Sequence, residues 1–137
     1  MKYILGLSNK KGVAPFDEST LSGKVLKKFK SEDVVMKNLV QFAPLDEVGK
    51  LRYPTKKELS EAAIEFLKDI SDESIVICLG DLVFNSFVDC LSIEVDRNKF
   101  EVENTVFFKV AHPSYIGRFK RKEMDKYLDE ISGYLEL

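Results

Sequence analysis

The sequence predicts an α/β protein, a three-layer α/β/α sandwich with a central, mostly parallel four-stranded sheet. Three observations point there. Short apolar runs at residues 3–7, 34–40 and 75–79 have the length and continuity of strands buried on both faces. Between them lie longer segments whose apolar residues recur at helical spacing. Strand and helix patterns alternate along the chain, the order that builds a parallel sheet with helices on its faces. With 137 residues and 45% hydrophobic content the chain can bury a real core, and no linker or internal repeat divides it, so one domain over residues 1–137 is expected.

Taken in order, Tyr3 to Leu7 is a buried first strand released into a loop containing Gly6, Asn9 and Gly12. Leu21, Val25, Leu26 and Phe29 share a helical face, with Ser19 or Thr20 as N-cap. Val34 to Val40 is the second strand, expected to be covered on both faces. Thr55 and Glu58 form a capping box after Pro54, and Leu59, Ala62, Ala63, Phe66 and Ile70 continue it as a helix. Ile75 to Leu79 is the third strand, and Gly80-Asp81 turns into a helix carrying Leu82, Val83, Phe87 and Leu91. Alternation from Ile93 to Val110 predicts a hairpin turning near Glu103-Asn104, and Met124, Leu128, Ile131 and Leu135 make the closing helix. Sites in such folds gather at the carboxyl ends of the strands. Gly6 to Asn9, Asn38 to Pro44, Gly80 and His112 to Arg118 all fall there and are expected to converge.

Charge narrows the function classes. The 21 Lys and Arg nearly cancel the 23 Asp and Glu, so nucleic-acid contact would rest on a local patch and not on a global field. That patch is Arg118, Lys120, Arg121 and Lys122, with Lys10 and Lys11 as neighbours, while acidic residues concentrate in 89–103 and 123–136. As an isolated charge run it would be a solvated helix start; the segregation favours function. Cys78 and Cys90 lack metal-ligand spacing and are expected to be buried thiols in a reducing compartment, with no metal and no cofactor. The chain opens on Met1-Lys2 and a short apolar strand, without a signal-peptide pattern or a run long enough to span a bilayer; a cytoplasmic protein with no membrane contact is expected.

The run His112-Pro113-Ser114-Tyr115-Ile116-Gly117-Arg118 places the only histidine beside a proline turn, a hydroxyl, an apolar residue and a cation. Such groups can grip a phosphate backbone, wedge a base stack and stabilise a departing anion. The heptad resembles the second motif of the uracil-DNA glycosylase superfamily, His-Pro-Ser followed by a wedge residue, with an arginine in the iron–sulfur branch. Three further segments, in order, resemble the rest of that superfamily's site. Gly6-Leu7-Ser8-Asn9 is similar to the first motif, closest to the Gly-Leu-Ala-Pro of family five. Ala14-Pro15-Phe16 before Ser22-Gly23 resembles the Pro-Phe and Ser-Gly elements of families four and five. Asn38 followed by Pro44 resembles the asparagine that reads the uracil edge.

The resemblance implies a role for each residue. Phe16 stacks on a flipped base, although as one of 10 Phe it is also readable as a core plug. Asn38 pairs its amide donor and acceptor with the base edge, with Gly6 and Leu7 around the base; a turn-capping Asn is the plain alternative. His112 donates to the carbonyl that gains charge as the glycosidic bond breaks. Ser114 pins a phosphate, Ile116 wedges into the stack, and Arg118, Ser22 and Lys120 contact the DNA. The water-positioning residue departs from the pattern: Leu7 and Ser8 stand where the superfamily has its Asp, Glu or Asn, leaving Asn9, Asp17 and Ser8, in that order, as candidates. Phe42 occupies the place of a cluster cysteine, so no iron–sulfur cluster is expected.

The implied partner is DNA carrying uracil, single- or double-stranded, met by a monomer. Three functions stay open: hydrolytic excision of uracil or a related deaminated base; a catalytically silent member that binds DNA; and a generic nucleotide-binding domain, ranked last because residues 6–12 lack both the Lys-Ser/Thr ending of a P-loop and Gly-x-Gly-x-x-Gly spacing.

Overall fold

A computed structural model describes residues 1–31, 33–71, 73–95 and 97–137. Asp96, inside the acidic stretch noted above, lies outside the described residues. Strands β1 (Lys2–Ser8), β2 (Val34–Val40), β3 (Ile75–Leu79), β4 (Lys99–Val102) and β5 (Thr105–Val110) form one sheet in the order β2-β1-β3-β5-β4. Neighbours among β2, β1, β3 and β5 pair in parallel, and β4 pairs antiparallel with β5. The sheet thus has five strands where four were expected, the fifth being the first arm of the predicted hairpin. Glu103 and Asn104 both take left-handed backbone, φ 49° and 68°, which closes a two-residue turn whose twist matches paired strands.

Helices α1 (Leu21–Val25), α2 (Lys56–Asp69), α3 (Asp81–Leu91), α4 (Pro113–Phe119) and α5 (Met124–Tyr134) complete the sandwich. Successive strand side chains point to opposite faces, and the buried residues divide accordingly. Tyr3, Leu5, Val76, Cys78 and Phe107 join Leu59, Ala63, Phe66, Val83, Phe84 and Phe87 on the face of α2 and α3. Ile4, Ile77, Leu79 and Val110 join Leu26, Phe29, Ile116, Tyr127, Ile131 and Leu135 on the face of α1, α4 and α5.

Two packing expectations are corrected. β2 does send apolar residues to both faces, Val35 and Leu39 toward α2 and α3 and Val34 and Met36 toward the other helices. As the edge strand, however, it is only half-buried over residues 35–38. In α3 Val83 and Phe87 are buried as expected and Leu91 packs on the same cluster, but Phe84 joins them on the inward side while Leu82, in the first turn, is exposed. The Thr55–Glu58 capping box forms in both directions, and Thr20 caps α1 by accepting from the Gly23 N–H. Because β1, β2, β3 and β5 are parallel, their carboxyl ends lie at one end of the sheet. No described helix is long and apolar enough to cross a membrane.

Candidate functional site

Outside those carboxyl ends lies a cavity of about 410 Å³. It sits where the chain, having built β1, places β2 on one side of it and β3 on the other, the position at which parallel sheets leave a crevice. Gly6, Leu7, Ser8, Phe16, Ser22, Asn38, His112, Ser114 and Arg118 line it, so residues up to 112 positions apart in sequence share one hollow. Gly80 falls in a neighbouring hollow that shares His112. Asn9, Asp17, Ile116 and Lys120 lie outside the lining.

The floor is a close approach of backbone and side chain. Gly6 and Asn38 are register partners on β1 and β2. A Cβ at Gly6 would collide with Asn38 Oδ1 and press on the Phe16 ring, so glycine is required for both side chains to reach the cavity. Phe16 has φ 57°, a strained setting for an aromatic residue. It is both core and lining, buried against the α1, α4 and α5 face with its ring at the cavity. Asn38 Nδ2 donates to Asn9 Oδ1 at 2.9 Å. Asn9 therefore holds the Asn38 amide from behind and leaves Oδ1 on the Gly6 side.

His112 sits at the N-cap of α4, with Pro113 in the first turn. Its Nδ1 accepts from the Ser114 N–H at 3.2 Å and lies 2.6 Å from Ser114 Oγ. An Nδ1 that accepts leaves the ring proton on Nε2. Burial first, then the positive charges of Lys10 and Arg118, hold the imidazole below its ordinary pKa and keep it neutral. Tyr127, on α5, donates to the Ala111 carbonyl at 2.6 Å and anchors the residue before it. Ser114 Oγ is thus engaged with the ring and is less available for a phosphate than the motif suggests.

Two sequence expectations fail on geometry. Ile116 is only 7% exposed and packs in the core, because α4 turns that residue toward α1 as Gly117 closes on Leu21; it is not placed to wedge into a base stack. Asp17 accepts from the Ser19 N–H at 2.8 Å, and this backbone bond pulls its carboxyl below the usual range, making it a local turn former and a weak base. Asn9 is committed to Asn38, and Ser8 alone of the three water candidates lines the cavity.

Residues not anticipated also shape the rim. Arg52 lines the cavity and clasps Glu58 through both carboxylate oxygens, at 2.7 and 3.3 Å, while its Nε donates to the Leu45 carbonyl. That clasp, with the Thr55 N–H, takes Glu58 down to about 2, and it fastens the loop bearing Tyr53 to the start of α2. The capping box marked Glu58, but nothing local marked its partner six residues earlier. The lining contains Lys10, Arg52 and Arg118 and no carboxylate. Lys10 and Arg118 form no ion pair among the described residues, so the hollow is positive.

The sequence profile described as "Uracil DNA glycosylase superfamily" matches residues 10–136. No curated protein matches the chain. Of the two cysteines expected to be buried, Cys78 is enclosed in the core, which pushes its thiol up, whereas Cys90 is only partly buried and lies outside the cavity lining.

Proposed function

Because the chain belongs to the uracil DNA glycosylase superfamily, we propose that it takes a flipped uracil, or a related deaminated base, from DNA into the cavity and hydrolyses the N-glycosidic bond. The observation that carries this reading is the meeting of Phe16, Asn38 and a neutral His112 in one positive, carboxylate-free hollow. In this reading Phe16 stacks on the base face. Asn38 Oδ1 accepts from the imide N–H, an edge cytosine does not offer at the same place. Asn9 is the positioning residue that sets the Asn38 amide.

As the C1′–N1 bond breaks, its electron pair passes to the base. His112 Nε2–H donates to the carbonyl oxygen that gains the charge, which costs less from a neutral, pre-aimed donor than reorganising water. Water adds at C1′ and releases a proton to solvent, with the Ser8 hydroxyl orienting it. Lys10 and Arg118 take the flanking phosphates.

The test is release of uracil from a single-stranded oligonucleotide. His112→Ala and Asn38→Ala are each expected to slow release about 10²–10³-fold while remaining folded. Wild-type protein that releases nothing refutes the excision reading. A specific observation favours one alternative: with Asp17 tied to Ser19 and no acid in the lining, a strong general base is missing. A protein that binds the oligonucleotide with salt-dependent affinity yet never turns over is a silent, DNA-binding member.

A further inference from the structure

The outer face of α4 is as unusual as its inner face is ordinary. Ile116 and Gly117 pack inward, while Tyr115 is 47% and Phe119 71% exposed. These two rings lie one helical turn apart with centroids 5.6 Å from each other, inclined at 48°. Single exposed apolar residues need no explanation, but an adjacent aromatic pair in water marks a contact surface. Tyr115 also borders the hollow that adjoins the cavity and shares His112 with it. On the other rim of the cavity stands Tyr53, 76% exposed, on the loop that Arg52 and Glu58 hold in place.

Cations interleave with these rings. Lys10 and Arg118 line the cavity, and Lys120, Arg121 and Lys122 are exposed immediately after Phe119, with no acidic residue between His112 and Lys122. Arg121 Nε donates to the Gly117 carbonyl, which keeps that cation at the end of α4. Rings and cations together also suit a lipid surface or a protein, but these border the cavity that a DNA strand crosses in the proposed function. Alternation of the two matches an unpaired nucleic-acid strand, which presents one phosphate and one uncovered π face per nucleotide. In a duplex those faces are covered by neighbouring pairs.

We infer that Tyr115 and Phe119, with Tyr53 across the cavity, form a stacking platform for the unpaired bases on either side of the one that enters, and that the protein binds single-stranded DNA in preference to duplex. The inference takes from the proposed function only that a DNA strand crosses the cavity. It does not depend on catalysis.

The chain has no tryptophan, so Phe119→Trp creates a single reporter at the platform. Oligo-dT of roughly 16 nucleotides is expected to quench its fluorescence saturably, less so as salt rises, and a duplex of equal length to quench it far less. In anisotropy titrations with labelled oligo-dT, Tyr115→Ala/Phe119→Ala is expected to bind at least tenfold more weakly than wild type, in line with about 1–3 kcal/mol per stacked base. Thermal unfolding establishes that the variant remains folded. The inference is overturned if wild type does not bind oligo-dT, if it binds duplex as tightly, or if the double variant binds like wild type without quenching in Phe119→Trp. Uracil release without quenching leaves the excision reading standing and removes the platform. Quenching without release does the reverse.

Discussion

The two faces of the sheet hold similar apolar side chains but pack them to different ends. On the α2 and α3 face, Tyr3, Phe66, Phe87, Phe107, Phe100 and Phe84 form an unbroken chain of ring contacts with centroids between 4.6 and 5.5 Å. Such edge-on and offset contacts hold their partners in fixed orientation. On the other face α1 is five residues long and α4 seven, and the space between their starts and the strand ends is the cavity. The difference teaches that one face is a rigid backing. It holds the ends of four parallel strands still, so that strained and hydrogen-bonded loop residues such as Phe16 and His112 can be aimed across a gap on the other.

The largest effect expected from this contrast is on the backing. Phe87→Ala removes a fully buried ring at the centre of the chain of contacts and is expected to cost about 3–5 kcal/mol in urea unfolding. A cost under about 1 kcal/mol would show that this face is not rigidly packed. Next comes Ile116→Ala, on the inner side of α4, expected to cost about 2–4 kcal/mol of stability while leaving the DNA affinity of the folded protein unchanged. Unchanged stability with a large loss of affinity would mean that Ile116 reaches the ligand.

A smaller effect is expected at Asn9. Losing its hydrogen bond, worth about 0.5–1.5 kcal/mol, should slow uracil release several-fold in Asn9→Ala. Asn9→Asp, which keeps an acceptor for Asn38 Nδ2, should restore it. If Asn9 acts through Asn38, adding Asn9→Ala to Asn38→Ala slows release no further; an equal further loss would make Asn9 an independent participant.

The mildest test is pH. His112 is depressed from its ordinary 6.5, so release should be level through neutral pH and fall only below 6.5. There a protonated Nδ1 can no longer accept from Ser114, and α4 loses its cap. The sign for stability agrees: a group with a depressed folded pKa contributes above 6.5, and the contribution fades as pH falls through the folded value. An acid limb that persists unchanged in His112→Gln would assign it to another group.

Much of this was legible from residue order. β2 and β3 coincide with runs whose periodicity is local, and the Thr55–Glu58 box announces α2 because capping involves residues three apart. The motif-bearing segments at Gly6, Asn38 and His112 do reach one cavity, since parallel strands put their carboxyl ends at one end of the sheet. Legibility failed where a side chain has a choice of direction. Ile116 and Tyr115 are adjacent, and sequence alone could not tell which one α4 would bury. Asp17 looked like a free acid because its turn with Ser19 competes with any catalytic role only once the loop is folded.

Patterns that repeat within a turn of helix or a pair of strand residues were enough to define the sandwich, the bounds of β2 and β3 and the segments that bear on chemistry, though not α4, which no helical pattern announced. Their energetics are short-range, so neighbouring residues carry them. What Asn9 grips, what Arg52 clasps, how Tyr127 anchors Ala111 and which rings of α4 face water depend on partners 16 to 29 residues away or on the opposing helix, Arg52 excepted, whose partner is six residues off but across a loop. Those contacts exist only when the sheet has brought the loops together. Side-chain direction and hydrogen-bond pairing are then set by the space that remains.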